Sequence, residues 1–280
     1  MLPISTKKNT GIAEALAAVR GVSELTTRSY RGAVRDFVSW SGPEGPSVDR
    51  VREYIDSIRG RKSAASVNLA IAGIRAAFAQ AARAANLSAV ELAAVDTVTK
   101  IKRITPPAPD IRVVTPADRV RLFAALPLRV RLVAETLYVT GARVSEIVTA
   151  RREFVRQEGD AVSITLYGKG AKERRARIPA GLHAAIVSEF GEAGEFIFTT
   201  EQGNPFRRQY ITREIARAAR RVLGARITAH DLRHSRGTDL YRASGRLVAV
   251  SRFLGHSGVE VTARYYTRDD FTVAELLDGI

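Results

Sequence analysis

AVSITLYGKGAKERRARI, residues 161–178, is the stretch whose reading decides the fold class. Ala161–Tyr167 is rich in β-branched residues and reads as a strand. GKGAKE is a turn, and Arg174–Ile178 reads as the returning strand. Phe196–Thr199 is predicted to add a third short strand. Around this hairpin the pattern is helical. Helices are predicted before it at Pro116–Ala125, Leu128–Thr140 and Arg143–Arg151. After it they are predicted at Tyr210–Leu223, Ala229–Ala243, Leu247–Leu254 and Glu260–Tyr266. The tail spaces Phe271, Leu276 and Ile280 like a short amphipathic helix. The expectation is a mainly α chain whose second half is α+β, with a small antiparallel sheet.

Upstream lies ITPPAPDIR at 104–112, where three prolines in four positions cannot continue a helix and favour extended chain. The domain boundary is expected here: a helical domain at 1–103, a proline-rich linker at 104–112 and a second domain at 113–280. Residues 1–103 read as a bundle of four or five helices. Leu25–Trp40 carries Tyr30, Val34, Phe37 and Val38 at helical spacing, with Thr26 or Thr27 as cap. SGPEGPS breaks it. Val48, Val51, Ile55 and Ile58 form the stripe of a second helix, which Gly60 ends. Ser63–Asn86 places Val67, Ile71, Ile74 and Phe78 on one face, and a last short helix is expected around Val90–Val95. The sequence has no internal repeat.

Composition narrows the function. The chain has 280 residues, of which 45% are hydrophobic, enough to build real cores in two domains. No apolar run approaches the roughly 20 residues that span a bilayer. The first residues lack the apolar core of a signal peptide, so a cytoplasmic protein with no membrane partner is expected. No cysteine is present, which excludes disulfides, thiolate ligands and a cysteine nucleophile. Four histidines leave little from which to build a zinc site. Lys and Arg number 44 against 29 for Asp and Glu, a net charge of +15 that attracts polyanions. Arginine, whose planar fork suits phosphate, dominates.

Four stretches concentrate the chemistry: TGARVSEI at 140–147, LYGKGAKER at 166–174, HDLRHS at 230–235 and LGHSGVEVTARYYTR at 254–268. Each alone has an ordinary reading as turn, hairpin, helix face or core aromatic. The second is no Walker loop, since GxxxxGK[ST] is not matched. In this order they supply an arginine, a hairpin lysine, a His-x-x-Arg pair, a second histidine and a tyrosine. Arginines clamp the non-bridging oxygens of a phosphodiester as charge builds there. A lysine or histidine gives a proton to a leaving oxygen or takes one from an attacking hydroxyl. A tyrosine oxygen can hold a phosphate covalently. No acidic cluster is offered for two-metal catalysis, so cationic side chains would replace the metal, and neither metal nor cofactor is expected.

These stretches resemble, in order, the first-arginine, hairpin-lysine, His-x-x-Arg and closing His-to-Tyr boxes of the tyrosine recombinase family, which includes phage integrases and Xer recombinases. The resemblance spans roughly Val113–Arg268, and the helical first half fits that family's SAM-like core-binding domain. It implies that Arg143 and Arg233 grip the scissile phosphate. Lys169 would protonate the leaving 5′ oxygen, with Lys172 as the alternative. His230 would assist proton removal, His256 would hydrogen-bond a non-bridging oxygen, and Glu146 would support the site without reacting. His234 is assigned to packing behind the pair or to the surface, and His183 receives no role. Nine residues separate His256 from Tyr265, the family's usual step, which favours Tyr265 as nucleophile. The Tyr-Thr pair would instead select Tyr266, and adjacent helical residues point about 100° apart, so only one can face the phosphate.

The resemblance further implies a 3′-phosphotyrosine intermediate formed without ATP. It implies stepwise strand exchange through a Holliday junction by a homotetramer on two specific DNA sites. The C-terminal helix would be exchanged between protomers, and an accessory protein is an open possibility. DNA grip is expected from both domains, chiefly through phosphate contacts. The candidates in the first half are Arg28, Arg31, Arg35, Arg61, Lys62 and Arg75. The rival readings are a topoisomerase-like nicking-closing enzyme, a non-catalytic architectural DNA-binding protein and a metal-dependent nuclease.

Overall fold

A computed structural model describes residues 19–21, 23–84, 89–105, 112–159, 161–168 and 173–255. The chain divides into two compact units, Met1–Pro109 and Asp110–Ile280. Among the described residues no helix is long and apolar enough to cross a membrane.

The first unit is helical, with α1 Glu24–Ser41, α2 Val48–Ile58, α3 Ala64–Ala84 and α4 Ala89–Thr99. The N-cap of α1 is Ser23, whose hydroxyl accepts from the Thr26 amide, so the helix starts a few residues before the expected Thr26 or Thr27. Glu24 in the first turn favours that start by facing the positive end of the helix. Val34 and Phe37 of α1, Val51, Tyr54 and Ile55 of α2, and Val67, Ile71, Ile74 and Phe78 of α3 share one core. This is the outcome that their helical spacing predicts. Gly73 lets α3 approach α1, since a Cβ there would lie 3.2 Å from the Tyr30 Cα. Ile104 exchanges two hydrogen bonds with the Asn68 side chain, both 2.7 Å, which ties the first residue of the expected linker to this unit.

The second unit holds a three-stranded antiparallel sheet in the order β1–β2–β3: Val155–Glu158, Ala161–Tyr167 and Glu173–Pro179. Val162 pairs with Ile178 and Ile164 with Ala176, so the apolar residues of the hairpin share the buried face. The helices are α5 Pro116–Ala124, α6 Leu128–Thr140, α7 Val144–Val148, α8 Ala180–Phe190, α9 Arg208–Leu223, α10 Ala229–Ser244 and α11 Leu247–Leu254. The core of this unit gathers Leu132, Val133 and Leu137 of α6, the inner face of the sheet, and Ile211, Ile215 and Leu232. Truncating one such leucine to alanine costs about 2–5 kcal/mol.

Three expectations are corrected here. The predicted helix Arg143–Arg151 ends at Val148, because the Ala150 carbonyl accepts from Ile197 and the Arg152 amide donates to Glu195. Phe196–Thr199 is no strand. It makes isolated bridges from Phe196 to Arg151 and from Thr199 to Pro205, and proline lacks the amide that would extend a ladder. The third strand is instead Val155–Glu158, and Ala180–Phe190 is a helix that the sequence reading does not assign. Predicted helix Glu260–Tyr266 and the tail from Phe271 lie outside the described residues.

Candidate active site

The site grows from two helix ends. Helix α6 stops at Gly141, which adopts φ +58° in the left-handed region. Helix α11 stops at Gly255, with φ +66°. Such ends leave carbonyls without helical partners, and these carry the negative end of the helix dipole. Arg233, on α10, is only 2% exposed and donates to the carbonyls of both ends, Gly141 and Leu254, the latter at 2.6 Å. Arg174, on β3, spans the same two ends: it donates to Thr140 at 3.3 Å and to Phe253 at 3.0 Å. Two guanidiniums thus bridge one pair of helix C-termini.

Arg143 is the N-cap of α7, and its backbone amide donates to the Glu146 carboxylate at 3.1 Å. Its side chain pairs with the other carboxylate oxygen at 2.7 Å. Arg174 donates to the carboxylate from the other side at 3.1 Å. The Glu146 side chain is 2% exposed, Arg174 13% and Arg143 41%, so the carboxylate lies buried between two cations and the open one is Arg143. Burial alone would raise the Glu146 carboxyl, but the Arg143 hydrogen bonds and the Arg174 charge outweigh it and hold it below the usual carboxylate range.

His230 follows the N-cap Thr228, which forms a capping box with Asp231. The residue is exposed, yet packing around its ring, then the charge of Arg233 and that of Arg143, lower its pKa below 6.5, against the opposing pull of Asp231. Its ring meets that of buried His234 edge-on, with centroids 4.3 Å apart. The structure therefore brings Arg143, Glu146, His230 and Arg233 together, and His234 packs behind His230. Lys169, Lys172, His256, Tyr265 and Tyr266 lie outside the described residues.

In the first unit, Arg28, Arg31 and Arg35 line one groove along α1. Arg61 donates to the Ser57 carbonyl, Lys62 pairs with Asp36 at 3.2 Å, and Arg75 is partly buried on α3. The sequence reading missed two features. One is Arg174, which stands in strand phase with buried Ala176 and Ile178; an arginine on the inward register was the available signal. The other is a groove on α9 lined by Arg208, Arg213, Arg217, Arg220, Arg221 and Arg226, which reaches Thr228. Spacings of three and four residues along α9, opposite buried Ile211, Ile215 and Ala219, marked that face.

Residues 112–272 match the phage integrase family, and residues 13–85 match the phage integrase N-terminal SAM-like domain. The chain is similar to tyrosine recombinase XerC of Xanthomonas campestris pv. campestris (strain B100), with 27% identity over 270 residues, 90% of this chain and 81% of that one. Among solved structures it resembles the XerH site-specific recombinase bound to its difH substrate in a pre-cleavage complex. The TM-score is 0.70 and the identity 15%, over 96% of this chain and 93% of that one. It also resembles a lambda integrase tetramer bound to a Holliday junction, with a TM-score of 0.70 and 17% identity, over 95% of this chain and 81% of that one. The described part of the site thus sits inside a match that covers more than half of the sequence, and the chain belongs to the phage integrase family as an enzyme of the tyrosine recombinase type.

Proposed function

We propose that the protein is a site-specific DNA recombinase that cuts and rejoins strands through a covalent 3′-phosphotyrosine. The observation that carries this reading is the convergence of Arg143, Arg233 and His230, with both arginines opposing protonation of the imidazole. Two guanidiniums beside a neutral imidazole suit a phosphodiester whose charge grows in the transition state and an attacking hydroxyl that must lose its proton. In this reading the Tyr265 oxygen attacks phosphorus while His230 assists removal of its proton. The bond from phosphorus to the 5′ oxygen breaks, and Lys169 protonates that oxygen. His256 donates to a non-bridging oxygen. Attack by a 5′ hydroxyl from a second duplex reverses the step on a new partner. The phosphodiester energy is kept in the tyrosyl link, so ATP is not consumed. Lys172 and Tyr266 are the alternatives to Lys169 and Tyr265.

Phosphate contacts would come from the α9 groove in the second unit and from Arg28, Arg31 and Arg35 in the first. Residues 1–103 would serve as the core-binding domain. A homotetramer on two sites, passing through a Holliday junction and exchanging C-terminal helices, is the assembly we assign; the lambda integrase tetramer on a junction supports it. The test is to express the wild type, Tyr265→Phe and Tyr266→Phe with DNA from the native locus, purify each under denaturing conditions and sequence attached DNA. Adducts with the wild type and Tyr266→Phe, but none with Tyr265→Phe, are expected. Loss only with Tyr266→Phe would move the nucleophile, and no adduct from any form would overturn covalent catalysis.

A further inference from the structure

Arg174 is the cation of this site that neither motif chemistry nor the proposed mechanism uses. Its surroundings are specific. It makes three hydrogen bonds, to the Glu146 carboxylate, the Thr140 carbonyl and the Phe253 carbonyl. Its stem lies against Gly255, where a Cβ would come within 3.0 Å of the Arg174 Cδ. Its donors are committed to these three acceptors and its side chain is 13% exposed, whereas Arg143 is open at 41%. Both carboxylate oxygens of Glu146 are already engaged by Arg143 from side chain and backbone. Two guanidiniums on one carboxylate leave one net positive charge, and the guanidinium open to a ligand is that of Arg143. Without Arg174, Arg143 and Glu146 would form a neutral pair, and an incoming phosphate would compete with the carboxylate for the same guanidinium.

Position adds a second consequence. Arg174 pairs with Leu166 across the hairpin whose turn carries Lys169 and Lys172 in the sequence. Phe253 lies three residues before His256. One side chain therefore ties the hairpin, the first-arginine turn and the end of α11 together.

We propose that Arg174 is a positioning residue for DNA cleavage, acting through Glu146 so that the charge of the Arg143 guanidinium is not cancelled by the carboxylate and stays aimed for phosphate. This rests on the reading of Arg143 as a phosphate-binding group. The test is single-turnover cleavage by the full chain, at saturating concentration of a nicked duplex bearing the site recovered from wild-type adducts. Wild type, Arg174→Met, Glu146→Gln and the double variant are compared, with DNA affinity measured in parallel. Arg174→Met slows cleavage roughly ten- to a hundredfold, the size expected for a lost charge-assisted hydrogen bond. DNA affinity changes by less than about threefold, because the contact acts on the chemical step. In the Glu146→Gln background the same substitution costs less than about threefold, because the residue it acts through is gone. Equal slowing in both backgrounds overturns the proposal, and so does a loss of affinity that matches the loss of rate. If Arg174→Met does not fold, Arg174→Lys, which keeps the charge but cannot span three acceptors, carries the same cycle and the same criteria. If the wild type itself forms no adduct, the functional reading falls and this one with it. A wild type that cleaves beside an Arg174→Met variant of equal rate refutes this inference alone.

Discussion

Replacing Gly141 with alanine tests whether the junction of α6 and α11 is as tight as its geometry requires. Two costs add. Alanine at φ +58° pays about 1–2 kcal/mol for the left-handed conformation. Its Cβ would also lie 2.7 Å from the Leu254 Cδ2 and 2.9 Å from the Phe253 Cε1, distances that real Cβ atoms do not tolerate. Relieving them forces a repacking of the kind that costs about 1–3 kcal/mol. The sum is about 2–5 kcal/mol. For a unit of this size each kcal/mol lowers Tm by about 2–4 °C, so a fall of roughly 4–20 °C is expected. Gly224→Ala is the internal reference. It shares the left-handed backbone at φ +62° but has nothing within 4 Å of its Cβ, so it should show the strain alone, roughly 2–8 °C. Calorimetry of the full chain reads both. Equal shifts in the two variants would refute the packing argument. A functional readout adds to it: Gly141 and Leu254 supply the carbonyls that hold Arg233, so displacing Leu254 should impair cleavage even at temperatures where the variant is fully folded. Wild-type cleavage by folded Gly141→Ala would show that Arg233 does not depend on these carbonyls.

The depressed pKa of His230 makes the cleavage rate fall on the acid side with a midpoint below 6.5, since the imidazole must be neutral to accept a proton. A rate–pH profile whose acid limb lies at or above 6.5, or one that Gln at this position leaves unaltered, would contradict this. The same depression carries a stability term, fully present above pH 6.5 and lost as pH falls through the folded value, because protonation is harder in the folded state. In the α9 groove, Arg217→Ala combined with Arg220→Ala should weaken DNA binding and make the plot of log affinity against log salt shallower by about 2. An unchanged slope would place the phosphate contacts elsewhere.

Elements that bury a periodic apolar face were legible before any coordinates. The α1 stripe of Val34 and Phe37, the helix Leu128–Thr140 and the hairpin of Val162 and Ile164 all declare themselves through their own side chains. Those that failed are set by partners distant in sequence. Val155–Glu158 reads VRQE and shows its two central residues to solvent, so it is a strand only because β2 offers a ladder. The α7 helix is cut at Val148 because Ala150 and Arg152 bond to residues 195 and 197, a tertiary competition that local propensity does not contain.

The site divides along the same line. Arg143 with Glu146, and His230 with Arg233, are each three residues apart, so one turn of chain carries each pair and a motif can record it. The role of Arg174 has no such local trace, since its partners lie at positions 140, 146 and 253. Burying two arginines is costly unless their donors meet acceptors of opposite partial charge. Here the acceptors are mostly carbonyls at the ends of α6 and α11. Gly141 and Gly255 are readable as helix stops, but the side-by-side arrival of those stops is a product of packing. That convergence holds Arg233 by two backbone carbonyls, from Gly141 and Leu254. Glu146 supplies a full negative charge beside Arg143, and Arg174 offsets it. The positive character available to a phosphate at this site therefore depends on a helix–helix contact as much as on the residues that would touch the phosphate.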